Sequence, residues 1–237
     1  MNLRGTVTIR VPCAKSKWFL TEHSECVQNM AKKASAKQAE PLKLFYIFYN
    51  QERWDNWITT LEGASFEPAE GEEVSEGEQM LYNFSEDITL SVLKIIRLYQ
   101  NGRFTKEEAT EKLDDVELIV MTGLPEGDLE EIVGSLQLSL LVLFTACRKY
   151  LEGEFDKDIK ALVKKGRDLD EENLEEVLEV AANIGAAVID GATCCSKYIK
   201  DDVENPGLFD EWLIEIETMA GAMKSLAKFD EEPGEAS

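Results

Sequence analysis

Residues 136–147, LQLSLLVLFTAC, are apolar nearly all the way round a helical repeat. A helix of that kind has no face suited to water, so its neighbours must cover it. The run is 12 residues long, short of the roughly 20 needed to cross a bilayer. It therefore reads as the central helix of a fold with no membrane partner.

The body from Leu44 onward supplies the covering helices. Asn50 is placed to cap a helix that closes at Gly63, with Trp54, Trp57, Ile58 and Leu61 on one face. A second helix is predicted over 78–101, striped by Phe84, Ile88, Val92, Ile95 and Ile96. Thr105 and Glu108 make a capping box that opens a third, to about Thr122. Asp128 is the expected cap of the central helix, which runs to about Glu152. Further helices are predicted over 156–165, 171–189 (capped by Asp170, with Leu174 facing inward), 194–200 and 208–228. Residues 62–78 carry seven Glu and no base, and are expected to be a solvated, partly disordered loop. No strand alternation competes, so the fold class is all-α: a single irregular helical bundle of about seven or eight helices.

Charge divides the 237-residue chain. Residues 1–44 hold 8 basic and 3 acidic side chains; residues 45–237 hold 17 and 44, a net of −27. A body of that sign repels phosphate backbones, so it is not expected to bind nucleic acid directly. Residues 1–43 read as a poorly ordered basic leader, 44–229 as the helical domain and 230–237 as an acidic tail. The leader to Asn29 has no helical period, whereas Met30 opens a lysine-alanine stretch. This suggests that translation begins at Met30, a point that the intact mass of the natural protein tests.

The only histidine, His23, lies in the leader. Its absence from the body removes Ser-His-Asp and Cys-His nucleophilic catalysis, HExxH zinc sites and Glu-x-x-His di-iron bundles. Asp168–Asn173 lacks the glycine of a calcium loop, and Thr122–Gly127 lacks the lysine of a phosphate loop. No catalytic residue, cofactor or metal is therefore assigned. Five cysteines without a CxxC or a secretory segment point to a cytoplasmic chain without a disulfide framework. The vicinal pair Cys194 and Cys195 is nonetheless a candidate for soft-metal or redox chemistry, set against two small residues packed on a helix.

The densest aromatic cluster is Phe45, Tyr46, Phe48, Tyr49, Trp54 and Trp57. Trp and Tyr are favoured interface anchors, so Tyr49, Trp54 and Trp57 are the candidate partner-binding residues. The competing reading folds the same rings onto the bundle. Acidic faces such as Asp170, Glu171, Glu172, Glu175, Glu176 and Glu179 are solvated surface or a landing site for a basic partner.

The stretch Phe48-Tyr-Asn-Gln-Glu-Arg-Trp-Asp-Asn-Trp57, the helix Leu136–Tyr150, Ala187–Gly191 and Glu211-Trp212-Leu213 together resemble an archaeal family known as domain of unknown function 2150. The resemblance spans roughly residues 48–226. It implies an archaeal cytoplasmic protein and brings no activity or site residue with it. The leading functional expectation is a non-enzymatic helical interaction module that binds a protein partner or itself. The alternative is a thiol-dependent enzyme or soft-metal-binding protein using Cys194 and Cys195.

Overall fold

The computed structural model describes residues 48–71, 73–199 and 207–231, all within one compact unit, residues 47–237. The expectations for the leader, for Phe45 and Tyr46 and for the end of the acidic tail fall outside the described residues. Seven α-helices and no strand occur among the described residues: α1 Gln51–Glu62, α2 Glu76–Gln100, α3 Lys106–Thr122, α4 Glu130–Glu152, α5 Ile159–Asp168, α6 Leu174–Ile189 and α7 Leu208–Glu231.

Capping chemistry sets most of the helix starts. Asn50 accepts the Arg53 N–H at 2.9 Å and opens α1. Thr105 and Glu108 form the reciprocal box at α3, each satisfying a donor the helix cannot. A second box, Ser75 with Glu78, begins α2 two residues before the expected start. It also orders the end of the acidic loop, where the Gly77 N–H donates to the Ser65 carbonyl and the Phe66 ring lies over Gly77.

Three expected features are corrected. Asp128 does not cap α4, which begins after Leu129 with no side-chain cap. Asp170 instead accepts the Glu172 N–H in a local turn, and α6 begins at Leu174, which is exposed. Residues 194–199 form turns rather than a helix, because the Cys195 backbone is left-handed (φ 85°) and cannot continue one.

The apolar stripes meet as helical periodicity requires. The α4 helix packs on α2, α3, α6 and α7, and Val133, Leu140, Val142, Phe144 and Ala146 are buried along it. At 23 residues α4 is long and apolar enough to cross a membrane by length and composition, which corrects the estimate made from its 12-residue middle. In this fold its apolar surface is instead taken up by the neighbouring helices. The α4–α6 contact is the most extensive in the molecule. It is close because Gly185 faces Ala146: a Cβ placed at Gly185 would lie 2.6 Å from the Ala146 Cβ. At its far end α4 stops at Gly153, whose left-handed backbone (φ 81°) lets its N–H return to the Lys149 carbonyl.

Helix α7 closes the core. The Trp212 ring is fully buried, and its indole N–H donates to the Leu138 carbonyl of α4 at 3.0 Å. That bond removes the penalty of a buried donor while the ring supplies apolar area.

Candidate functional site

The aromatic segment is a docking latch between α1 and α2. Tyr49 and Trp54 are buried, 6% and 2% exposed, and Trp57 is half-buried. Of the three candidate partner-binding residues, Tyr49 and Trp54 are thus folded onto the bundle, and only Trp57 keeps part of its surface in solvent. Trp54 lies 5.1 Å from Phe84 and Trp57 stacks on the same ring at 5.2 Å, centroid to centroid. Helical spacing of three puts both indoles on one face of α1, where one phenyl ring of α2 can meet them. Trp54 also leans over Gly123, where any side chain would collide with its indole nitrogen.

A polar network surrounds this contact. The Arg53 Nε donates to Asp87 Oδ2 at 2.8 Å, and its Nη2 donates to Oδ1. The Trp57 Nε1 donates to Asp87 Oδ2 at 2.9 Å. Arg53 also sits over the Tyr49 ring, 5.5 Å from its centroid. The Tyr49 hydroxyl is buried without a hydrogen-bond partner. Burial pushes its pKa above the ordinary phenol value, the Asp87 charge adds to the shift and Arg53 opposes it. The phenol stays protonated and is no proton-transfer group at neutral pH.

The cysteines lie elsewhere. Cys194 and Cys195 are joined in a vicinal disulfide, both buried, in the segment between α6 and α7. They are not free thiols in an open cleft. Cys147 is a free, fully buried thiol on α4, pushed above its ordinary value by burial, with Arg148 opposing and Glu117 adding. No group of three or more His, Cys, Asp or Glu that could hold a metal occurs among the described residues.

Other charged side chains also tie helices together, among them Lys149 on α4, which reaches Glu179 on α6 at 2.5 Å. Arg148 on α4 reaches Asp114 at 2.6 Å and Glu117 on α3. Burial alone would lower its pKa, but the two carboxylates outweigh burial and raise it. Arg167 on α5 donates to Asp210 on α7 through Nε at 3.0 Å and Nη2 at 2.6 Å, and to the Tyr198 carbonyl at 2.5 Å.

Close to that pair, acids crowd together. Asp170, Glu171, Glu172, Glu175, Glu176 and Glu211 are all exposed. Glu171 lies against Gly207 at the start of α7. The pKa of Glu211 is raised, first by partial burial and then by the charge of Glu171. On the next turn of α7, burial raises the half-buried Glu215. Sequence reading found the acidic residues before and at the start of α6 but not the meeting of Glu171 with the start of α7, because the two stretches lie about 40 residues apart and only the packing of the fold joins them.

Two shallow grooves lie on the surface. One, of about 480 Å³, is lined by Val74, Ser75, Glu76, Gln79, Met80 and Asn83. The other, of about 300 Å³, lies between α1 and the turn at Gly123–Pro125 and includes Trp54 and Asp55. Each offers one carboxylate and no histidine, lysine or cysteine.

A family model described as an uncharacterized protein conserved in archaea, DUF2150, matches residues 47–232. The chain belongs to this family. No curated protein and no solved structure matches it.

Proposed function

We propose that this member of the archaeal family is a non-enzymatic interaction module that binds a basic protein partner through the acidic end formed by α6 and α7. The observation that carries this reading is the meeting of Glu171 and Glu211. Two like charges are held close enough to raise the pKa of one of them. Neither is in an ion pair among the described residues. Like charges held together weaken a fold, and an incoming cationic surface relieves their repulsion.

The surroundings support the same reading. Arg167, whose partner Asp210 adjoins Glu211 in sequence, is committed to Asp210 and the Tyr198 carbonyl. The grooves elsewhere carry no pair of titratable groups suited to general acid–base work. The acidic end of a second copy is a poor partner for it, since it presents the same sign. Tyr49 and Trp54 then act indirectly, by holding α1 on the bundle; Trp57, half-exposed, remains available at its rim.

The test compares capture from a lysate of the native host by the full chain and by a Glu171→Lys/Glu211→Lys variant. The expected result is a basic protein recovered in stoichiometric amount by the unaltered chain, released by about 0.5 M NaCl as screening demands, and lost with the variant. Circular dichroism establishes that the variant keeps its helices. Identical recovery by both proteins, or recovery indifferent to salt, refutes the proposal.

A further inference from the structure

We propose that the Cys194–Cys195 bond is a reversible redox latch that sets the link between α5 and α7. The bond joins adjacent residues. Its second cysteine is the only non-glycine residue with a left-handed backbone among the described residues, φ 85°. An unconstrained L-residue avoids that region because its Cβ crowds the following carbonyl oxygen. Bond and backbone conformation are thus coupled at a single residue.

That residue anchors a turn. The Cys195 carbonyl accepts the Tyr198 N–H at 2.7 Å and the Ile199 N–H at 3.0 Å. The turn presents the Tyr198 carbonyl to Arg167 Nη2, and the same nitrogen reaches Asp210 in the first turn of α7. The Ser196 N–H donates to Glu217, further along α7, at 3.1 Å. The disulfide therefore lies at the head of a chain of contacts that runs from Cys195 through Tyr198 and Arg167 to α7. The links at Tyr198, at Ser196 and from Arg167 to the Tyr198 carbonyl are hydrogen bonds that depend on where the 195–199 backbone points; the Arg167–Asp210 pair carries the last step through side chains alone.

The exchange is with an external dithiol. Attack of its thiolate on one sulfur breaks the Cys194–Cys195 bond and forms a mixed disulfide; its second thiol then displaces the protein sulfur. Two electrons and two protons pass to the protein, leaving two cysteine thiols, and the reductant leaves as its own disulfide. A small-molecule disulfide reverses the step. Cys147 takes no part: it is a free thiol, fully buried on α4 and raised by that burial away from the thiolate form.

The experiment uses the full chain treated with oxidised glutathione or with dithiothreitol, then denatured, alkylated and mapped by peptide mass. After oxidation, the peptide containing Cys194 and Cys195 is expected to be unalkylated and lighter by two hydrogen atoms; after reduction it carries two alkyl groups. In the native protein, hydrogen exchange at residues 195–199 and 208–211 is expected to be roughly tenfold faster in the reduced form, since local opening governs exchange. A Cys194→Ser/Cys195→Ser variant is expected to exchange at the reduced rate under both treatments. Full alkylation of the pair after oxidation overturns the proposal, as does exchange at 195–199 and 208–211 that is the same in both forms of the unaltered chain. That second comparison needs no variant to fold.

Discussion

Asp87 accepts three hydrogen bonds from α1, two from Arg53 and one from the indole of Trp57. Their value is limited by solvent, since the Arg53 side chain is 48% exposed while Asp87 is 18% exposed. Asp87→Ala is therefore expected to cost about 1–2 kcal/mol, most of it from the half-buried indole N–H left without an acceptor. Urea unfolding of Asp87→Ala, Arg53→Ala and the double variant checks this, with a coupling near 1 kcal/mol expected. An unchanged midpoint for Asp87→Ala contradicts the account. The aromatic residues of this segment were visible in the sequence, and so was their helical spacing. Whether they are buried or exposed stayed open there, because the covering ring, Phe84, comes from another helix and nothing within 48–57 decides it.

Packing between elements turns on small residues. In a helix, alanine is ordinarily better than glycine by about 1 kcal/mol. At Gly185 the added carbon would meet the Ala146 Cβ at 2.6 Å, with little freedom on either side to yield. Overpacking of that kind costs about 1–3 kcal/mol, so it outweighs the propensity gain. Gly185→Ala is expected to lower the unfolding midpoint, whereas Gly221→Ala, which meets nothing within 4 Å on α7, is expected to raise it. Equal shifts of the same sign would show that the α4–α6 contact is looser than described. Helix existence followed from apolar period and caps, and all seven helices begin within about three residues of where the sequence places them. The starts that moved, Asp128 and Asp170, had the right side chains. Each helix begins later than those residues and without a side-chain cap, and Asp170 is used instead in a local turn.

At the scale of the whole molecule, charge dominates: the chain carries a net −22. Self-repulsion of that size weakens a compact state, and salt screens it. Protonation should act in the same direction, because Glu211 and Glu215 have raised folded-state pKa values. In the window above the ordinary carboxylate pKa the folded state then holds more protons than the unfolded state. Stability conferred by these two groups is present at lower pH and falls as pH rises through their folded values. Glu78, lowered by its bonds to Ser75, runs the other way and loses its contribution only as pH drops below the ordinary range. The melting temperature is thus expected to fall as pH rises from just above the ordinary carboxylate range toward neutrality, and to be higher in about 1 M than in about 0.1 M NaCl. A melting temperature indifferent to both, followed by calorimetry, would mean that the acids are farther apart than the structure places them. The sequence by itself determined the helical class, the central position of α4 and the sign of the surface, since periodicity, all-round apolarity and net charge are properties of the chain. Only the tertiary structure decided that Tyr49 and Trp54 are covered, that Glu171 meets Glu211, and that Cys195 heads a turn tied to α7. Each of these depends on residues far apart in sequence or on a backbone angle, and no local pattern of residues encodes either.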